Sequence, residues 1–297
     1  MRRRNFLKNT ALFSLSGLVA GNTLAQTGER EEVLSGPVGL QLYTVRDDMQ
    51  KNPAETISKV AAIGFKDVEC AGYAERKFYG MSRKDFKKLL MDNGLTMKSG
   101  HTGTGQQNPA QKATMVNQWE AFCEDAAYMG QEYVVCAYLT EDERKTIDQY
   151  KKLAELFNSC GEVAKSFGLT FAFHNHDFEF VKIDNQVPFD IFLNETDAKL
   201  VKFELDHFWI KKAGYDAQYF FDKHPGRFPL WHVKDMSKDA DKTFETVGKG
   251  SIDWKEVFRL KKASGLKYFY VEQDTVRKGT AMESVQNSYQ YLNNLKV

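Results

Sequence analysis

The sequence predicts one (β/α)8 barrel, the TIM-barrel form of the α/β class, occupying residues 37–297. Three observations predict it. Eight short β-rich runs alternate with amphipathic helical stretches from Pro37 onward, which is the order of a parallel sheet built from strand–helix units. Several helical stretches stop at a glycine that leads straight into the next run: Gly64-Phe65, Gly94-Leu95, Gly130, Gly168-Leu169 and Gly265-Leu266. Glycine just past a helix end takes the left-handed conformation that reverses the chain. Finally, one composition regime runs through, and no Gly-rich phosphate loop follows the first run. That disfavours an open doubly wound sheet, which usually has five or six strands.

The first 25 residues read as an export leader rather than as fold. Arg2, Arg3, Arg4 and Lys8 precede a mildly apolar stretch from Thr10 to Ala20, and Asn22-Thr23-Leu24-Ala25 offers a cleavage site before Gln26. The segment RRNFLK fits the twin-arginine signal, so a periplasmic protein is expected, with residues 26–36 as linker. The apolar stretch is too short for a stable span, and no membrane association is expected once the leader is gone. The leader holds four basic residues and no acids, leaving 37 basic against 40 acidic residues, or −3. Such a domain has no electrostatic footprint for nucleic acid. Cys70, Cys123, Cys136 and Cys160 are too scattered for a disulfide scaffold or zinc ribbon and read as buried free thiols.

The expected strands are Val38–Tyr43, Lys66–Cys70, Thr96–Gly100, Tyr133–Tyr138, Thr170–His174, Val201–Asp206, Pro229–Val233 and Tyr268–Glu272. The expected helices are Pro53–Ile63, Ser82–Asn93, Ala113–Met129, Glu141–Phe167, Pro188–Asn194, Asp216–Lys223, Trp254–Ala263 and Met282–Asn294. Strand phase then sorts the side chains. In the fifth strand Phe171 and Phe173 share one face, and Ala172, His174 and His176 share the other. Large apolar residues belong against the helices, so the histidine face looks into the barrel. The same test turns Glu204 and Asp206, His232 and Lys234, and Glu272 inward. Polar groups facing a barrel axis are costly unless something binds them.

All six histidines but His224 fall at or just past the C-terminal end of an expected strand, the face where barrels build their sites. One ligand from each of strands five to eight gives His174, Asp206, His232 and Glu272. Two imidazoles and two carboxylates neutralise a divalent ion, and mixed N/O ligation suits Mn²⁺, Co²⁺, Mg²⁺ or Zn²⁺. His176, two residues beyond His174, is the rival ligand and is read as a substrate contact. Glu204 is either a carboxylate behind the ligands or a partner for Lys202 or Lys234.

These segments resemble the xylose-isomerase-like barrels known as sugar phosphate isomerases/epimerases, related to the endonuclease IV fold. The resemblance runs through GLQLYTVRD, IGFKDVECAGY, KSGHTG, FHNHDFEF, FELDHFW, LWHVKDM, VGKGSIDWKEVF and YVEQD. It implies metal ligation by strands five to eight, at the same four positions. The family's better-known epimerases carry Glu where this chain has His174, and use it as one of two bases. A metal-bound imidazole has no lone pair for that role.

The implied chemistry is removal of a proton beside a carbonyl polarised by the metal. Glu272, His101 and Glu69 are the candidate bases, and Lys234 is placed to steady a developing oxyanion. Gln41, Tyr43, Glu69, His176 and Trp209, with Arg46 and Phe178, are expected to contact substrate. The expected partner is a sugar or glycoside, isomerised or epimerised, or else cleaved by elimination from a 3-keto-glycoside. Export favours unphosphorylated substrates. The other readings are a non-catalytic periplasmic sugar-binding barrel, which four intact ligands disfavour, and a DNA-repair endonuclease, which the charge disfavours. A homo-oligomer is compatible with all of them.

Overall fold

A computed structural model describes Leu34 and residues 36–297; the expected leader lies outside these residues. Eight parallel strands close a barrel. They are β1 (Gly39–Gln41), β2 (Asp67–Cys70), β3 (Thr96–Thr102), β4 (Tyr133–Cys136), β5 (Thr170–His174), β6 (Val201–Asp206), β7 (Leu230–Val233) and β8 (Tyr268–Val271). Each pairs with its neighbours in sequence, and β1 closes the ring against β8 through Gly39 beside Tyr270 and Leu40 beside Val271. Among the described residues, no helix is long and apolar enough to cross a membrane.

The outer helices are α1 (Pro53–Ile63), α2 (Arg83–Asp92), α3 (Trp119–Met129), α4 (Ile147–Ser166), α5 (Pro188–Glu195), α6 (Ala217–Lys223), α7 (Trp254–Arg259) and α8 (Ala281–Asn293). The five helix-ending glycines all have positive φ, from 66° at Gly94 to 126° at Gly64, as the chain reversal requires. Two expected helices begin later than their apolar pattern. α3 starts at Trp119 because Ala113 and Gln118 sit at φ 56° and 58°, outside the helical region. α4 starts at Ile147 because Thr146 and Gln149 form a capping box, and a separate box closes a 3-10 turn at Glu141–Glu143.

Strand phase holds throughout. Phe171, Phe173, Phe203, Trp231 and Phe269 face the helices and join the main core. Phe157 packs on Phe171 and Phe173, and Trp231 stacks on Phe221 at 5.4 Å. Val135, Ala172, Leu230 and Tyr270 form a separate small cluster inside the barrel. Two residues further along β5, β7 and β8 the interior becomes His174, His232 and Glu272. The barrel thus has an apolar plug with an ionisable layer above it.

Candidate metal centre and its cavity

His174, Asp206, His232 and Glu272 are all buried, and each brings one ligand atom within 4.8 Å of the others. What makes the set coherent is how each second polar atom is tied down. His174 Nδ1 lies 3.1 Å from the Ala137 carbonyl and donates to it, and Nε2 faces Asp206 Oδ2 at 3.3 Å. Asp206 caps the short helix His207–Lys212: its Oδ1 accepts from the amides of Phe208 and Trp209 at 2.8 and 3.1 Å. Asn175 holds the Asp206 backbone amide. Only Oδ2 is left to face the cluster.

His232 stands between two carboxylate pairs. Its Nδ1 is 2.9 Å from Glu272 Oε2 and 3.9 Å from Asp206 Oδ2, and its Nε2 is 2.7 Å from Glu69 Oε2 and 3.1 Å from Glu204 Oε2. A carboxylate behind a ligating imidazole orients the ring and raises its basicity; here two do so. Burial would lower the His232 pKa, but Glu204 and Glu272 hold it well above the usual range. With Nδ1 held by a carbonyl, His174 can offer Nε2 as a ligand atom beside the carboxylates of Asp206 and Glu272. The donor set therefore fits a divalent cation.

Lys234 Nζ reaches the same oxygens, at 3.1 Å from Asp206 Oδ2 and 2.6 Å from Glu272 Oε2, and also Asp274 Oδ1 at 2.7 Å. Burial would lower its pKa, but these three carboxylates hold it well above the usual range. Lys234 pairs with neither Glu204 nor Asp235, and Lys202 reaches the Gly226 carbonyl instead. Asp274 was not among the expected site residues. It sits two residues past Glu272, so the phase rule already turned it inward.

Two expected substrate contacts lie beneath the cavity floor. Gln41 and Glu69 are fully buried; Gln41 Nε2 donates to Glu69 Oε2 at 2.7 Å, and Gln41 Oε1 accepts from the Tyr43 amide. Both point inward one layer below His174 and Glu272, where Glu69, His101, Glu204 and His232 bring a second set of ligand atoms within 4.8 Å of one another. His101 Nε2 lies 2.8 Å from Glu204 and 3.2 Å from Glu69, and its Nδ1 faces Gln41 Nε2 at 3.3 Å. Burial would lower its pKa, but the two glutamates push it to about 9. Both its nitrogens face side chains, which leaves no free lone pair for a substrate proton.

The cavity above the donors measures about 340 Å³ and is lined by Tyr43, His101, Tyr138, His176, Lys234 and Glu272 among others. His176 stacks on Phe178 and packs near Trp209, with ring centroids at 5.2 Å in both cases. Burial keeps this ring's pKa well below the usual range. Glu179 Oε2 accepts from the His176 backbone amide at 2.7 Å and so fixes the chain that carries the ring. Among the other histidines, His207 points outward against Trp231 and stays outside the centre.

Glu179 carries a pH prediction. Burial pushes its pKa up to about 8 from 4.5, so the folded state resists ionisation that the unfolded chain undergoes freely. Below pH 4.5 the residue is neutral in both states and costs nothing. Between pH 4.5 and 8 the penalty grows with pH, and above 8 it is complete. Glu179→Gln should therefore raise the melting temperature above pH 8 and leave it unchanged near pH 4. A constant difference across this range in thermal melts would show that Glu179 titrates normally.

Comparison with known proteins agrees with this architecture. A crystal structure of a sugar phosphate isomerase/epimerase from Parabacteroides distasonis superposes with TM-score 0.74 at 27% identity, covering 88% of this chain and 95% of that one. A structure of IOLI protein with a bound zinc atom superposes with TM-score 0.65 at 14% identity, over 86% and 96% of the two chains, a likeness of fold. Inosose dehydratase from Clostridium perfringens is 27% identical over 129 residues, 38% of this chain; the match spans less than half of that relative, 43%. The family described as the xylose isomerase-like TIM barrel matches residues 57–295, and the chain belongs to it.

Proposed function

We propose that the protein is a divalent-metal-dependent enzyme that removes a proton beside the carbonyl of a sugar or related polyol. The observation that carries this reading is the four-donor cluster, in which the scaffold engages one polar atom of His174, Asp206 and His232 and leaves the other for a cation beneath an open cavity. A cation held there supplies Lewis acidity toward a substrate carbonyl.

The chain's own groups do the rest. Burial would raise the Glu272 pKa, but Lys234 and His232 hold it well below the usual range, so it is ionised; Oε2 is committed to those two groups, and Oε1 is the oxygen left to act as base. Lys234 offsets negative charge developing on the substrate oxygen. Asp274, partly exposed, links Lys234 to the cavity mouth. His176 and Tyr138 wall the cavity.

Isomerisation or epimerisation fits this arrangement, as it fits the names of several structural neighbours, including an L-ribulose 3-epimerase. Elimination is the second reading, and His174 favours it. With Nδ1 held by the Ala137 carbonyl, His174 would have only Nε2 to offer a cation and would keep no lone pair for the role of second base. Dehydration needs one base and a leaving group, and inosose dehydratases are among the similar proteins.

The test is metal analysis of the purified protein, followed by NMR in D₂O with ketoses, inososes and 3-keto-glycosides. Metal-dependent deuterium entry at the carbon beside the carbonyl is the expected result. One-face entry with loss of a hydroxyl or aglycone selects elimination. Exchange that is indifferent to chelator would overturn the proposal.

A further inference from the structure

The cavity over the metal donors is one half of a longer cleft. A second compartment of about 400 Å³ adjoins it, and Tyr43, His101, Ala137 and Tyr138 line both. Each compartment is large enough by itself to hold a small ligand. Tyr43 and Tyr138, 42% and 46% exposed, are among the exposed large hydrophobic side chains of the described residues. They stand at the shared waist.

The second compartment is polar, and its His101 and Glu143 side chains are both held by protein partners. Its hydrogen-bonding side chains are Thr104, Gln107, Asn108, Gln111 and Thr140, and Tyr73 adds a third aromatic wall. Its one ionisable carboxyl, Glu143, is already engaged: Thr104 donates to one oxygen, and the Thr140 amide and hydroxyl donate to the other at 2.8 and 2.6 Å. Gln107 is ordered by a 2.6 Å bond from its Nε2 to Thr140 Oγ1. Uncharged amides and hydroxyls between tyrosine rings suit a sugar ring, which offers hydroxyls at its edge and C–H groups on its faces.

A phosphate finds no equivalent welcome. No arginine lines either compartment; Lys234 is shared among three carboxylates, and His101, which lines both compartments, is committed to Glu69 and Glu204. Barrels often bind phosphate with amides from the loops after the seventh and eighth strands. Here the Gly-rich loop after β7 turns the amides of Gly248 and Gly250 onto the chain's own Asp235.

We propose that the cleft takes an unphosphorylated two-ring saccharide, with the carbonyl-bearing ring over the His174–Glu272 donors and a second sugar ring between Tyr73, Tyr138 and the Thr104–Gln111 segment. The proposal rests on the metal-assisted sugar reading above and narrows its substrate class. Gly103 supplies a blocking variant. It lines the second compartment, its φ is ordinary, and a Cβ added there meets nothing within 4 Å. Gly103→Tyr should therefore project into the space the second ring would fill.

The full chain, with and without Mn²⁺, is titrated by calorimetry and saturation-transfer NMR. The ligands are fructose, the ketose disaccharides lactulose, maltulose, isomaltulose and turanose, p-nitrophenyl glucoside and fructose 6-phosphate. The best disaccharide is expected to bind at least about tenfold more tightly than fructose, with saturation transfer to both rings. In Gly103→Tyr that ratio should collapse toward one. If tyrosine disturbs the fold, Asn108→Ala with Gln111→Ala provides the same comparison. Mn²⁺-dependent fructose binding with no gain from any disaccharide, or a gain confined to the aryl glucoside, would overturn the second-ring assignment and leave the metal reading standing. Tighter binding of fructose 6-phosphate than of fructose would overturn the exclusion of phosphate. No Mn²⁺-dependent binding of any sugar would overturn both readings.

Discussion

Glu272→Gln is expected to weaken divalent-metal binding by more than about a hundredfold and to lower turnover by roughly 10³-fold or more. The change keeps the side chain's size and removes only its charge. That charge faces His232 Nδ1 at 2.9 Å and Lys234 Nζ at 2.6 Å, so its loss leaves two cationic groups against fewer carboxylates and makes a divalent ion less welcome. The barrel should stay folded, because Glu272 lies at the rim of the ionisable layer and outside the apolar plug. His232→Ala is expected to abolish metal binding too, at a greater cost in stability. Glu69 and Glu204, both fully buried, would lose one of the two imidazoles they share and keep only His101, and weakening a buried charge pair costs on the order of 1–3 kcal/mol. Calorimetric titration with Mn²⁺ and circular-dichroism melts separate the two effects. Full metal occupancy in Glu272→Gln would remove Glu272 from the ligand set.

Asp235→Ala is expected to destabilise the fold by on the order of 3–5 kcal/mol without removing any site residue. Asp235 is fully buried, and its carboxylate is the hub of the loop between β7 and α7. Oδ1 accepts from the Met236 and Ile252 amides at 2.8 and 3.2 Å, and Oδ2 accepts from Gly248, Gly250 and Trp254 Nε1 at 2.9, 3.1 and 3.1 Å. Alanine would strand all five donors. Asp235→Asn keeps one acceptor oxygen and should lose less. Gly250→Ala attacks the same hub from the other side, because a Cβ there would run into the Asp235 carboxylate and the Met236 carbonyl. Urea unfolding measures all three. Lys234 precedes Asp235, so a loosened hub should also misdirect the ammonium, and activity should fall before the protein unfolds. An Asp235→Ala protein as stable as the parent would show that water replaces the carboxylate without loss.

Much of this architecture was legible before any coordinates. The eight strands were marked by β-rich runs, the helix ends by glycine, and the inward face by the period of two that separates Phe171 and Phe173 from Ala172 and His174. These signals are local: each depends on a few neighbouring residues and on the requirement that apolar side chains reach the core. Hence His174, Asp206, His232 and Glu272 could be nominated together, and the structure brings all four within 4.8 Å. The same period of two places Asp274, two residues past Glu272, on the inward face. The late start of α4 was readable as well, from the capping box at Thr146 and Gln149.

Depth and partnership were not legible. Phase says that Glu69 and Gln41 point inward, but their height in the barrel depends on the register between strands. That register sets Glu69 beside Gln41 and Ser99, and Glu204 beside His174. One layer of height separates a substrate contact from a buried carboxylate behind a ligand. Partner choice is equally non-local: Glu204 meets His101, 103 residues away, and His232 meets Glu69 across 163. The sequence by itself determined the fold class and the inward-facing set, because both follow from short-range periodicity. Only the tertiary structure decided which of those groups face the cavity, which stand behind them, and that the cleft extends past Tyr138, because strand stagger and loop packing are set by contacts that no local pattern encodes.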